Sequence, residues 1–291
     1  MDLGRIGIWH FLDLLPAAAA RAAAVEVESL GYGALWIPEA ISREAFTTAG
    51  LLLSATRTLV VATGIANVWG RDAMTMAAAQ KTLAEAYPGR FLLGVGVSHA
   101  PMVEAVRGHG YRRPLSFMRD YLDAMDRAPY MGPEPPSPPE RVIGAIHPKM
   151  LALSAERAAG AHTYFVTPEH TARARRILGR GKLLAPEQAV VLDADPTSAR
   201  TLARGYMATY LALPNYVRNL HSLGFTEADV ADGGSDRLVD AIVAWGDVQA
   251  ARARVQAHLD AGADHVCVQV LGPDPRSAPV AQWRALAEVL L

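Results

Sequence analysis

The sequence predicts a (β/α)8 TIM barrel from three observations. Short apolar runs alternate with segments of helical period along the whole chain, one stretch carries a complete strand–helix–strand unit, and polar residues gather just after the strands. An open doubly wound sheet would share the first two features, but eight alternations within 291 residues favour the closed form.

The complete unit is residues 59–99. Residues 59–65 are apolar and rich in β-branched side chains, as expected of a strand buried on both faces. The period then changes: Met76, Ala79, Leu83 and Ala86 recur at helical spacing, and Pro88-Gly89 ends that helix before a second buried strand at 91–97. Parallel strands joined in this way have their carboxyl ends on one side. Ala66, Asn67 and Val68 are therefore expected at the same face as Ser98 and His99.

Before this unit, residues 5–10 (RIGIWH) form the first strand, 16–30 a helix and 34–38 (ALWIP) the second strand, with Glu39 at its exit and Thr47 or Thr48 as cap of the next helix. After it come a helix from Pro114 to about Asp126 and an extended proline-rich connector at 132–140. Strands at 141–146, 162–167, 188–192 and 265–271 complete the eight, with helices at 148–158, 168–178 and 248–261 and a last helix ending at Leu291. Residues 196–244 show helical patterns only, with Ser235 as an N-cap, and are expected as a helical insertion between strands seven and eight. The chain is read as a single domain, 1–291. Gly33-Ala34, Gly160-Ala161 and Gly262-Ala263 each join a helix to a strand, and their glycines are expected as left-handed helix caps.

Lysine plus arginine (28) balance aspartate plus glutamate (29), and no long basic run exists, which argues against nucleic acid as a partner. The single cysteine, Cys267, lies in the apolar run HVCVQVL and reads as a buried strand thiol. The alanine-rich stretch 16–27 follows a strand and is interrupted by Arg21 and Glu26, so it is neither a signal peptide nor a membrane span. The expectation is a soluble cytoplasmic protein.

His10, Glu39, Asn67, Ser98, His99, His147, Thr167 and Pro168 all follow strands and so converge on the face where barrels of this kind carry their active sites. His10 also reads as a packing histidine, and Glu39 as a partner for Arg43. His99 follows the apolar GVGV directly and must face water or a ligand. Gly94–Gly96 is no dinucleotide fingerprint, there is no Walker sequence or GxSxG elbow, and the histidine spacing gives no metal pair. The residues alone thus predict a barrel enzyme with an imidazole-bearing pocket.

RIGIWH, LWIPE, ATGIANVWGRD, GRFLLGVGVSH, AERAAGAHTYFVTPEH and AGADHVCVQV together resemble the bacterial luciferase-like monooxygenase superfamily, and within it the actinobacterial coenzyme F420-dependent oxidoreductases. The resemblance implies a luciferase-like barrel with the deazaflavin ring at the carboxyl ends of the strands. It places Ala66, Asn67 and Val68 in a bulge, often with a non-prolyl cis peptide, under one ring face, and Val97, Ser98 and His99 beside the ring. Glu39 matches an acidic position after the second strand. Ala145, His147, Pro148, Lys149, Thr167 and Pro168 match segments along the phosphate-bearing tail, where helix-start amides suit an anion. Related sugar-phosphate dehydrogenases carry histidine where this chain has Ala40, so their base does not transfer.

The resemblance implies hydride transfer between F420 C5 and a small organic substrate, by a homodimer. The position of His99 on the strand beside the ring and the suitability of imidazole near pH 7 assign it the proton work, with His10 as the alternative and Glu39 as a third candidate catalytic residue. An FMN-dependent monooxygenase and a non-catalytic cofactor-binding relative are the competing readings.

Overall fold

The computed structural model describes residues 1–291, in which eight parallel strands close into a barrel. In chain order these are β1 (Ile6–Trp9), β2 (Ala34–Ile37), β3 (Val60–Thr63), β5 (Phe91–Gly96), β6 (Arg141–Gly144), β7 (Gly160–Thr163), β8 (Leu183–Val191) and β10 (Val266–Val270). Two short strands add to this ring: β4 (Ala66–Asn67) pairs with β5, and β9 (Val243–Trp245) pairs with β8. Closure comes from β10, which pairs with β1 (Gly7↔Cys267) and with β8 (Glu187↔Cys267).

Strand alternation divides the side chains between two cores. Ile8, Leu35, Val61, Leu93 and Ile143 point outward, against α1 (Ala17–Ser29), α2 (Ala45–Leu53), α3 (Ala73–Ala86), α4 (Pro114–Asp126) and α5 (Pro148–Arg157). Trp9, Trp36, Ala62, Leu92, Val142, Ala185 and Cys267 point inward and fill the barrel. Trp36 stacks on His162 with centroids 4.6 Å apart and donates its indole N–H to His265 Nε2 at 3.0 Å. The barrel is thus a packed core open to ligands only at its end. The outer ring is completed by α6 (Pro168–Leu178), α11 (Val248–Asp260) and α12 (Val280–Leu290).

The insertion lies between β8 and β9 as α7 (Pro196–Leu211), α8 (Pro214–Ser222), α9 (Glu227–Val230) and α10 (Asp236–Ile242), with Ser235 capping α10. Its apolar faces (Ala199, Ala203 and Met207 on α7, Tyr216 and Leu220 on α8) pack with Phe165, Ala189 and Val191 into a separate cluster over the carboxyl ends of β7 and β8.

Four details depart from the sequence reading. The third strand breaks at a cis Gly64-Ile65 bond and resumes as β4, so the cis peptide precedes the 66–68 segment instead of lying within it. The seventh strand begins at Leu183, not 188. Pro186 is accommodated because β8 pairs with β7 up to Pro186 and with β10 from Glu187 onward, so the missing N–H falls where the ladder changes partner. The region expected to be strand-free to 244 ends in β9. The cap of α2 is Glu44, whose carboxylate accepts from Phe46 and Thr47 N–H, and neither Thr47 nor Thr48 serves.

Of the three glycine joins, only Gly262 (φ 102) is left-handed. Gly33 and Gly160 are required by close approach: a Cβ would lie 2.0 Å from Leu3 O and 1.9 Å from Leu183 O, respectively. At the first join the left-handed residue is Gly31.

Candidate active site at the barrel mouth

The β3–β4 break shapes one wall of the mouth. Ile65 projects over two strands that carry glycine where a side chain would collide with it; a Cβ on Gly96 would come within 2.6 Å of Ile65 and one on Gly144 within 3.0 Å. β4 then runs beside β5, with Ala66 opposite Val95 and Asn67 opposite Gly96. Glu39, at the exit of β2, locks this fragment: its Oε2 accepts Asn67 N–H at 2.7 Å and Arg71 Nη1 at 2.9 Å, while Oε1 takes the second Arg71 amino group. Arg71 also reaches Glu44, and its backbone oxygen accepts from Tyr121. Glu39 is thus paired with Arg71, whereas Arg43 turns to the backbone oxygens of Leu12 and Leu15.

The next wall is residues 97–99. Two aromatic donors hold its backbone: Trp69 Nε1 gives to Val97 O at 2.9 Å and Tyr111 Oη to Ser98 O at 3.2 Å. Ser98 is left-handed (φ 55), an uncommon conformation for a non-glycine residue that turns the chain sharply at the strand exit. His99 follows, half-buried, with Nδ1 3.2 Å from Asn215 Oδ1 and its ring 5.3 Å from Tyr216. Desolvation lowers its pKa, and the contact with Asn215 opposes that shift.

Opposite lie the starts of α5 and α6. His147 Nε2 donates to Asn215 O at 3.0 Å, and His170 Nε2 donates to Ile146 O at 2.7 Å, tying α6 to the exit of β6. No side chain caps α5, Lys149 in its first turn is exposed, and Arg173 and Arg218 lie close enough to His147 to lower its pKa further, after desolvation. This end is therefore electropositive. α6 by contrast is capped by Thr167, which is 2 % exposed and whose hydroxyl accepts His170 N–H at 3.4 Å.

Behind these walls the mouth closes over a polar aromatic layer. Tyr164 Oη meets Tyr210 Oη at 2.7 Å and donates to Gln269 Oε1 at 2.8 Å, and its ring lies 5.1 Å from Trp9. Glu187, buried below, accepts Phe165 N–H at 3.2 Å; burial raises its pKa to about 8, so it holds a proton at neutral pH.

The structure gathers Asn67, Val97, Ser98, His99, His147, Pro148, Lys149, Thr167 and Pro168 at one end of the barrel. Ala66, Val68 and Ala145 join them there with side chains turned into the outer core, against which Val97 also packs. His10 does not face the mouth. It lies on the outward side of β1, 8 % exposed, its ring edge-on to Trp283 of α12 at 5.2 Å, and burial lowers its pKa to about 4. Its contacts are those of a packing histidine.

Sequence reasoning missed Arg71, Asn215, Tyr164, Tyr210, Glu187 and Gln269. Strand alternation signals two of them: Glu187 shares a face with inward Ala185, and Gln269 with inward Cys267. No group of three or more His, Cys, Asp or Glu side chains is placed to hold a metal ion, and no helix is long and apolar enough to cross a membrane.

The chain is similar over most of its length to several known proteins. A protein of Mycobacterium tuberculosis provisionally named as a coenzyme F420-dependent oxidoreductase is 26% identical over 326 aligned positions, covering 90% of this chain and 93% of that one. Among solved structures, an F420-dependent secondary alcohol dehydrogenase in complex with an F420-acetone adduct superposes with a TM-score of 0.80 at 16% identity, over 99% of this chain and 98% of its own. The oxygenating constituent of 3,6-diketocamphane monooxygenase from Pseudomonas putida, in complex with FMN, gives 0.71 at 16% identity, over 97% and 95%. The family model for luciferase-like monooxygenases matches residues 5–265. This chain is a member of the luciferase-like monooxygenase family.

Proposed function

We propose that this protein is a coenzyme F420-dependent oxidoreductase acting on a small organic substrate. The observation that carries the proposal is the meeting of β4 with residues 97–99. A backbone shelf held by Glu39 and Arg71 stands beside a half-buried imidazole at the open end of the barrel.

The residues present fit the group. Ile65 offers half-buried apolar surface to a flat ring, and Asn67 Nδ2 is a buried donor with no partner in the protein. The start of α5, with no side-chain cap and with His147 and exposed Lys149, suits the phosphate-bearing tail through the Lys149 amide and positive charge. When bound, the deazaflavin supplies the hydride-carrying carbon C5.

The protein's own tasks are then orientation, exclusion of water and proton handling. β4 and residues 97–98 position the ring. The insertion, with α8 seated across the exits of β5 and β6, closes the mouth and shapes the substrate space. His99 takes or gives the substrate proton, a task suited to an imidazole whose pKa lies below its ordinary value. A homodimer in the cytoplasm belongs to the same reading, and sedimentation of the purified chain tests the dimer.

The experiment that tests the activity is single-turnover bleaching or recovery of the deazaflavin absorbance with a panel of small alcohols, ketones and enones. Turnover with at least one substrate class, dependent on His99, is expected. Tight F420 binding without turnover of any class would instead identify a binding protein.

A further inference from the structure

Asn215, the second residue of α8, reaches two strand exits at once. Its Oδ1 lies 3.2 Å from His99 Nδ1, and its backbone oxygen lies 3.0 Å from His147 Nε2. A carboxamide oxygen only accepts hydrogen bonds, so the first contact requires a proton on His99 Nδ1. A neutral ring then carries its lone pair on Nε2. Desolvation favours that neutral ring.

The surroundings leave Asn215 as the polar group that sets this choice. Tyr216, on the same helix, meets the His99 ring at 5.3 Å through its own ring. Tyr111, from the connection after β5, spends its hydroxyl on Ser98 O, and His147, from the β6 exit, is joined to His99 only by way of Asn215. Arg218, one turn further along α8, acts on Tyr111 and His147 but not on His99.

We infer that Asn215 is a positioning residue for His99: it fixes the imidazole as the Nδ1–H tautomer, leaves Nε2 to take the substrate proton, and makes that arrangement depend on α8 being docked. When Nε2 accepts the proton the ring becomes an imidazolium whose second N–H is already held, so no reorganisation is needed at that moment. Opening of α8 would release the cofactor site and the tautomer together. The role in turnover rests on the reading of His99 as the proton-handling group; the tautomer does not.

Histidine ring nitrogens, observed by 15N NMR in the folded chain without cofactor, test it first. The wild type should show His99 as the Nδ1–H form. Asn215→Ala should lose that preference while the His147 signal stays put, because the partner of His147 is a backbone oxygen. Asn215→Asp should raise the pKa of His99 by roughly one unit or more, as a facing carboxylate does. In turnover, Asn215→Ala should lower kcat about tenfold, the equivalent of one hydrogen bond to a charged ring, with KM within about threefold. An Nε2–H ring in the wild type, or a His99 tautomer and pKa indifferent to both substitutions, overturns the inference. A responsive tautomer combined with full activity in His99→Ala overturns the reading of His99 and, with it, the role in turnover.

Discussion

Glu39 Oε2 accepts the backbone N–H of Asn67 at 2.7 Å, so a carboxylate from the exit of β2 holds the two-residue strand β4 against β5. The same carboxylate is neutralised by Arg71, and both side chains are largely hidden from water, at 6 % and 9 % exposure. Arg71 keeps Glu44 as a second partner, so removing the Glu39 charge weakens its charge-assisted hydrogen bonds without stranding the guanidinium. Glu39→Gln should therefore lower stability by about 1–3 kcal/mol in urea denaturation and weaken cofactor binding, because the β4 shelf loosens. Normal stability with a complete loss of turnover would assign Glu39 to the chemistry instead.

Thr167→Ala addresses the tail. The hydroxyl caps α6 and is turned away from solvent, so its loss should cost about 1 kcal/mol of stability, the usual value of an N-cap. Deazaflavin affinity should change less than twofold. Lys149→Ala should weaken binding instead, and the weakening should shrink as salt is raised. Strong loss of affinity in Thr167→Ala at unchanged stability would bring the tail to α6.

His10 and His99 should separate cleanly. His99→Ala is expected to lower kcat by roughly 10²-fold or more with cofactor affinity little changed. His10→Ala should empty the space against Trp283 and cost roughly 2–4 kcal/mol of stability, with kcat near the parental value. Equal kinetic losses in the two variants would contradict the outward placement of His10.

Stability should fall on acidification. Burial lowers the pKa of His10, His162, His170 and His265 to about 4 and that of His258 to about 3, so each is neutral in the folded chain and takes up a proton on unfolding below its ordinary value near 6.5. Their contribution is intact above pH 6.5 and is lost as pH falls toward 4, at up to ~1.4 kcal/mol per pH unit for each ring. Glu187 has the opposite sign: raised to about 8, its contribution is intact below its ordinary value of 4.5 and fades as pH rises toward 8. Glu187→Gln should therefore stabilise the protein more at pH 8 than at pH 5. Equal effects at the two values would show that Glu187 is ionised in the folded state.

The period of the apolar runs made the barrel and its insertion legible, because burial on both faces imposes that pattern on every strand. What stayed hidden depends on neighbours distant in sequence. Nothing local distinguishes Gly33, squeezed against Leu3, from Gly262, which turns a helix end. Pro186 reads as a breaker until its strand is seen changing partners. The mouth followed from strand exits alone, but Asn215 and Tyr210 arrive from the insertion, and no strand pattern assigns their partners. His10 sits at a strand exit as expected, yet alternation after inward Trp9 turns it outward.

The central claim is that the mouth between β4 and residues 97–99 holds a deazaflavin. Equilibrium titration of the purified chain with coenzyme F420 and, in parallel, with FMN, followed by cofactor fluorescence, tests it most directly. Saturable F420 binding at least tenfold tighter than FMN, and weakened in Glu39→Gln, is the result predicted. FMN binding as tight as F420, or F420 binding indifferent to Glu39, would contradict it.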